Sequence, residues 1–369
     1  MFDFIPIEDY SLYHYIFLLL VCVITLFHTI VLKGDEQIIM KYNKFFGITV
    51  LMVLVLYIGL RPIHGEFVDM MTYNKAFLQF QTGVRTTAPE GDLGFGYFLV
   101  LCSKIMSVEL FFFICAIIYI LPLYIASKNW FPEYYFFIFL LLVASMSFWT
   151  YGVNGIRNGM ATSLFILAIS YVYKNKKLAI LFFIISLSFH KSMYLLMISY
   201  IITFYIKEPK FYYFFWFLAI VLSISMGGVW EMVFANLGFG DDKLTSYLTT
   251  EVDSKKFRST GFRYDFLIYS AAPLIISYFY VFKKKFHDLQ YNRVLHTYMI
   301  ANGFWIMIIR ANFSNRFAYL SWFLMAIVIG YPLFKQAFLT NQFRKVGIIT
   351  SLYFAFTFFM YFYFNTPTK

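Results

Sequence analysis

Long apolar runs interrupted by short polar stretches dominate the chain, and the runs are continuous rather than alternating. A helix crossing the hydrocarbon core of a bilayer needs about 20 mostly apolar residues. The pattern places spans at 12–32, 45–60, 109–127, 133–150, 158–173, 178–190, 192–206, 211–228, 264–282, 292–309, 317–338 and 346–364. A membrane β-barrel would show apolar and polar residues in alternation, and that period is missing. The expected fold class is therefore all-α: a polytopic integral membrane protein with about twelve transmembrane helices. One transmembrane domain is expected over 1–369, with two longer external segments at 61–107 and 229–263.

Two assignments depend on loop charge. Residues 94–107 are apolar, but counting them as a span puts every later Lys cluster on the wrong face. They read as a helix lying in the interface, with Lys104 snorkelling. Residues 178–206 are divided at His190 and Lys191 for the same reason, leaving two short helices. The short loops at Lys33–Lys44, Lys128, Lys174–Lys177, Lys207–Lys210, Lys283–Arg293 and Lys335–Lys345 then share one face, which the positive-inside rule makes cytoplasmic. Both termini fall outside. The run beginning at Leu12 has no basic leader and reads as a span, not as a cleaved signal.

Composition agrees with this layout. The chain is 61% apolar and 13% charged, against about 25% charged in ordinary soluble domains. Secreted, disordered and cytosolic-enzyme classes are excluded. The net charge of +11 belongs to the topological signal and calls for no nucleic acid. Cys22, Cys102 and Cys115 form no metal or disulfide spacing and read as small hydrophobes.

The two faces differ in their cations. The cytoplasmic loops are almost wholly Lys, whereas Arg61, Arg85, Arg157, Arg258, Arg263, Arg310 and Arg316 all fall outside. Arginine's planar fork binds phosphate or carboxylate bidentately and stays charged when partly desolvated. The external boundary therefore reads as a place for anions.

Four constellations carry that chemistry. In Asn154-Gly155-Ile156-Arg157-Asn158-Gly159-Met160-Ala161, an arginine stands where a helix begins, beside free backbone amides. The plainer alternative is an interfacial cation beside lipid headgroups. Phe189-His190-Lys191-Ser192 offers a general base, or a structural histidine. Arg61, Asp69 and Tyr73 lie in the first external segment, with Asp69 and Tyr73 one helical turn apart. Arg310-Ala311-Asn312-Phe313-Ser314-Asn315-Arg316 sets two arginines in one short loop. Arg157 and Arg316, with Arg310 as a third, are expected to converge on one external cavity. The acidic segment 229–263 matches no defined Ca²⁺ loop and reads as a lid or sugar-binding surface. There is no P-loop, no zinc motif and no Gly-x-Ser-x-Gly elbow.

The Arg157 segment, the following hairpin and Phe189-His190-Lys191-Ser192 together resemble the EpsG family of Wzy-type polysaccharide polymerases. That family shows an Arg-Gln pair followed by Ala, then Phe-His-x-Ser one hairpin later. Asn158 stands here where Gln is usual. An early external Asp with Tyr four residues on is matched by Asp69 and Tyr73, and a late Asn-Arg with following aromatics by Asn315, Arg316 and Tyr319.

The resemblance implies a GT-C-like glycosyltransferase in the bacterial cytoplasmic membrane, with its active site on the outer face. Such an enzyme transfers a growing glycan from a polyprenyl-pyrophosphate, usually undecaprenyl, to the terminal sugar of a fresh lipid-linked repeat unit. The product is a polysaccharide chain, whether O-antigen, capsule or exopolysaccharide. Membrane lipids and a chain-length regulator protein are the implied partners, and no nucleotide, redox or metal cofactor is required. His190 is the expected base with Asp69 in reserve; Arg157, Arg316, Arg310, Arg61, Tyr73, Asn158 and Asn315 are the expected substrate-binding residues. A flippase for lipid-linked oligosaccharide, a glycan ligase and a membrane acyltransferase are the competing functions.

Overall fold

Uninterrupted apolar sequence leaves the backbone only one way to satisfy its own polar groups in lipid, which is to coil. The computed structural model describes residues 4–31, 36–87, 91–236, 261–311 and 314–365, and among these there is helix but no strand. The all-α expectation is met. The chain gathers into two compact units: Met1–His190 with Leu333–Lys369, and Lys191–Pro332.

The first unit opens with α1 (Tyr10–Val31) and α2 (Glu36–Gly59). The external segment then forms two further helices, α3 (Val68–Gln81) and α4 (Leu93–Ile105). They are followed by α5 (Val108–Trp130), α6 (Tyr135–Val143), α7 (Met146–Val153), α8 (Ile156–Tyr171) and α9 (Lys176–Phe189). All nine residues of α6 are buried. A helix that is apolar all round belongs inside a protein core, and α6 packs among α2, α5 and α7. A side-chain amide pins its start: Asn43 donates to the Glu133 carbonyl at 2.6 Å and accepts from the Phe136 amide at 3.2 Å.

The second unit holds α10 (Met193–Tyr205), α11 (Pro209–Met226), α12 (Val229–Asn236) and α13 (Tyr264–Tyr278), the last continued by a π-turn at Phe279–Lys283. Next come α14 (Leu289–Met307) and most of α15 (Asn315–Lys335). The closing helix α16 (Gln342–Asn365) returns to the first unit and lies along α1. A polar knot is buried within the second unit. Asn302 accepts from the Trp216 indole at 2.8 Å and donates to Ser270 and Ser321, while Trp322 donates to Ser270 at 2.7 Å.

Seven described helices are long and apolar enough to cross a bilayer, or eight if one bent pair counts as a span. The bent pair covers the expected span at 133–150. It is α6 and α7, meeting at 69° around Ala144 and Ser145. At the break, the Thr357 hydroxyl of α16 donates to the buried Ala144 carbonyl at 2.9 Å. The expected spans at 158–173, 178–190 and 192–206 are α8, α9 and α10, of 16, 14 and 13 residues. At 1.5 Å per residue they reach only about 20–24 Å. α14 is longer but carries Arg293, His296 and Asn302, all buried. The segment 94–107 forms α4 and packs on α3, α5 and α9. The three cysteines are buried and free.

Candidate functional site

The expected residues Arg61, Asp69, Tyr73, Arg157, Asn158 and His190 all belong to the first unit. Arg157 is the second residue of α8, whose capping residue, Gly155, has no side chain to offer its amides. A cation at the positive end of a helix is unfavourable by about 0.3–1 kcal/mol, so an anion is needed close by. It comes from Asp92, whose Oδ2 accepts from Arg157 Nη1 at 2.6 Å. Tyr73 Oη accepts from Arg157 Nε at 2.7 Å. The guanidinium also lies over the rings of Tyr73 and Phe95, at 5.6 and 5.8 Å.

The electrostatics follow from this packing. Burial alone lowers the Arg157 pKa, but Tyr73, Asp92 and Asp69 outweigh it, so the group is held more firmly protonated than a free arginine. Burial is also the main reason that the Tyr73 phenol is pushed well up; Arg157 pulls it down and Asp69 and Asp92 push it further. Tyr73 therefore stays a neutral hydroxyl. Asp69 and Tyr73 lie one turn apart on α3, as the spacing predicts, with Tyr73 buried and Asp69 half-buried.

His190 terminates α9 in extended backbone and is half-buried. Its neighbour Phe189 packs against Phe95 and Phe98, at 6.3 and 5.7 Å. Phe95 thus stands between the aromatic residue preceding His190 and the Arg157 guanidinium. The Ser186 hydroxyl donates to the Ala161 carbonyl at 2.7 Å, tying α9 to α8. Asn158 is half-buried on the first turn of α8. Gly159 has a packing purpose: a Cβ there would lie 2.7 Å from the Tyr151 carbonyl oxygen and 3.0 Å from the Tyr119 ring.

Arg61 follows α2 and is 5% exposed. Its Nη1 donates to the Ile58 carbonyl, and its guanidinium lies over Phe67 and Phe112 at 5.4 and 5.9 Å. Among the described residues, Nε and Nη2 have no hydrogen-bond partner. Burial lowers its pKa to about 10, against the upward pull of Cys115, Tyr10 and Asp69.

Arg310, Asn315 and Arg316 lie in the second unit, and each is described there. Arg310 Nη1 donates to the Ser223 carbonyl in the last turn of α11, at 3.0 Å. A cation belongs at that negative helix end. Gly227 makes room for it: its φ is +43°, and a Cβ there would meet Arg310 Nη1 at 2.8 Å. Arg310 thus has a capping task that its motif did not reveal. Asn315 Nδ2 donates to Tyr319 Oη at 3.3 Å, and Arg316 is exposed on the first turn of α15. Asn312, Phe313, Arg258 and the acidic residues Asp241, Asp242, Glu251 and Asp253 lie outside the described residues, as do Tyr247 and Phe257. Among the described residues no cluster of His, Cys, Asp or Glu could hold a metal ion.

The sequence profile of the EpsG family matches residues 44–368, nearly the whole chain. The chain belongs to the EpsG family. It is an integral membrane protein of the polysaccharide-polymerase type. No curated protein and no solved structure matches it. Within this EpsG chain, Asp92 is the residue that sequence reading missed. It stands before an apolar helix among Gly91, Gly94 and Gly96, where an aspartate reads as a helix cap. The one clue was the need of a cation at a helix N-terminus for a counter-ion.

Proposed function

We propose that this EpsG-family protein elongates a polysaccharide on the outer face of the bacterial cytoplasmic membrane. The growing glycan leaves a polyprenyl-pyrophosphate carrier, undecaprenyl in kind, and joins the terminal sugar of a lipid-linked repeat unit. The anomeric carbon–oxygen bond to the pyrophosphate breaks, a new bond forms to the acceptor hydroxyl oxygen, and the hydroxyl proton passes to a base. Two groups are needed: a cation for the leaving pyrophosphate and a base for the acceptor.

The observation that supports this reading is the fixed Arg157 guanidinium at the start of α8, in a chain whose family membership is plain. In the proposed mechanism Arg157 meets the pyrophosphate and the adjacent α8 amides add their partial charge. His190 takes the acceptor proton, with Asp69 as the alternative base. Arg316 and Asn315 are further substrate-binding candidates, as are Asn158 and Arg61. Membrane lipid and a chain-length regulator are the proposed partners.

Deleting the gene and displaying the surface glycan by size gives the decisive test. A polymerase deletion leaves single repeat units attached and removes the ladder. Loss of every attached unit would point to a ligase or a flippase and overturn the reading.

A further inference from the structure

Asp92 occupies the capping position of α4, where an aspartate ordinarily accepts from the amides of the first turn. Its side chain makes no such bond. Its carboxylate instead reaches Arg157, and it is 6% exposed against 25% for the arginine. Tyr73 fixes the neighbouring Nε. Both bonds therefore occupy donors that a phosphate would otherwise take, and one of them also cancels the positive charge at short range. An arginine built only to bind pyrophosphate as tightly as possible would have no buried carboxylate against it.

The reaction supplies a reason. The donor pyrophosphate is esterified at both ends, by lipid and by sugar. Once the glycan has moved, it carries lipid alone, gains an ionisable oxygen and becomes more negative. A bare guanidinium therefore prefers the product to the donor and holds the enzyme in its product complex. We infer that Asp92 is a positioning residue that aims Arg157 and offsets its charge, so that the released polyprenyl pyrophosphate leaves. This inference rests on the reading of Arg157 as the pyrophosphate contact. Tyr73 shares the aiming but not the charge, because its phenol stays neutral.

The test uses the full-length protein in lipid nanodiscs, with a defined lipid-linked repeat unit as substrate and undecaprenyl pyrophosphate as added inhibitor. Asp92→Asn keeps the shape and an acceptor oxygen but removes the charge. Inhibition by undecaprenyl pyrophosphate should tighten about tenfold, with KM and kcat falling together. Tyr73→Phe should raise KM and leave inhibition no tighter. Asp92→Glu retains the charge and should keep inhibition near the wild-type level.

If Asp92→Asn leaves inhibition unchanged or weaker while Arg157→Ala weakens it, the inference about Asp92 fails and the pyrophosphate reading stands. If Arg157→Ala leaves inhibition by undecaprenyl pyrophosphate unchanged, that reading itself fails. Should only the Glu variant accumulate in membranes, tightened inhibition in it would overturn the inference.

Discussion

Arg157 and Asp92 are 65 residues apart in the chain, and their side chains meet at 2.6 Å. The contact joins the starts of two helices, α8 and α4, and places a negative group where each helix presents its amides. Removing either partner takes a 2.6 Å charged contact from the other, although Tyr73 still meets Arg157.

The first prediction follows from that dependence. Asp92→Ala and Arg157→Ala should each destabilise the detergent-solubilised protein by about 1.5–3 kcal/mol. The double variant should lose less than the sum, with a coupling of roughly 0.5–3 kcal/mol. Thermal unfolding of the four proteins measures it. Additive losses would show the pair to be energetically idle.

His190→Ala should lower the polymerisation rate by about 10²–10⁴ with normal amounts of protein in the membrane. Wild-type chain lengths at equal expression would return His190 to a structural role. Asp69→Asn would then be the variant to lose activity.

Activity should show no alkaline break from Tyr73 or Arg157 below about pH 10. The phenol's pKa is raised, so it keeps its proton through and beyond its ordinary range, and the guanidinium is held charged as well. A proton bound more tightly in the folded state stabilises it below the ordinary pKa, and that contribution fades only as pH rises through the folded value. A pH–rate profile of Tyr73→Phe checks this: its alkaline limb should superimpose on that of the wild type.

Arg61 separates stability from function. Exchanging a buried charge for an apolar chain of similar length is often neutral or stabilising, and two of its nitrogens lack partners among the described residues. Arg61→Met should therefore unfold at the same temperature or higher. If Arg61 binds substrate, glycan elongation will fall in the same variant. A clear drop in unfolding temperature would instead mark it as a structural cation.

The topology is tested separately. A reporter fused at residues 174–177 should report the cytoplasm if the positive-inside rule assigns the Lys-rich loops correctly. An external signal would move Arg157 and His190 to the opposite side and remove the proposed mechanism with them.

Much of the first unit was legible because its signals are local. The turn-spaced pair Asp69 and Tyr73 shares a helix, and the polar segment around Arg157 does open one. Asp92 was not legible, since its local setting spells a helix cap and its partner lies far along the chain. The break between α6 and α7 was hidden for a related reason. Neither proline nor glycine stands at Ala144 and Ser145, and one serine cap inside a long apolar run is a weak sign of a new helix. The capping contact of Arg310 was hidden as well, because the carbonyl it meets belongs to another helix.

That break has a bearing on biogenesis. The Ala144 carbonyl waits for a hydroxyl 213 residues further on. At about 5–20 residues per second, the ribosome needs roughly 10–40 s to make them. For that interval the bend between α6 and α7 lacks the hydroxyl that meets it in the finished protein. Nascent chains halted before α16 would keep that defect, and membrane quality control would have a polar flaw by which to tell them from finished protein.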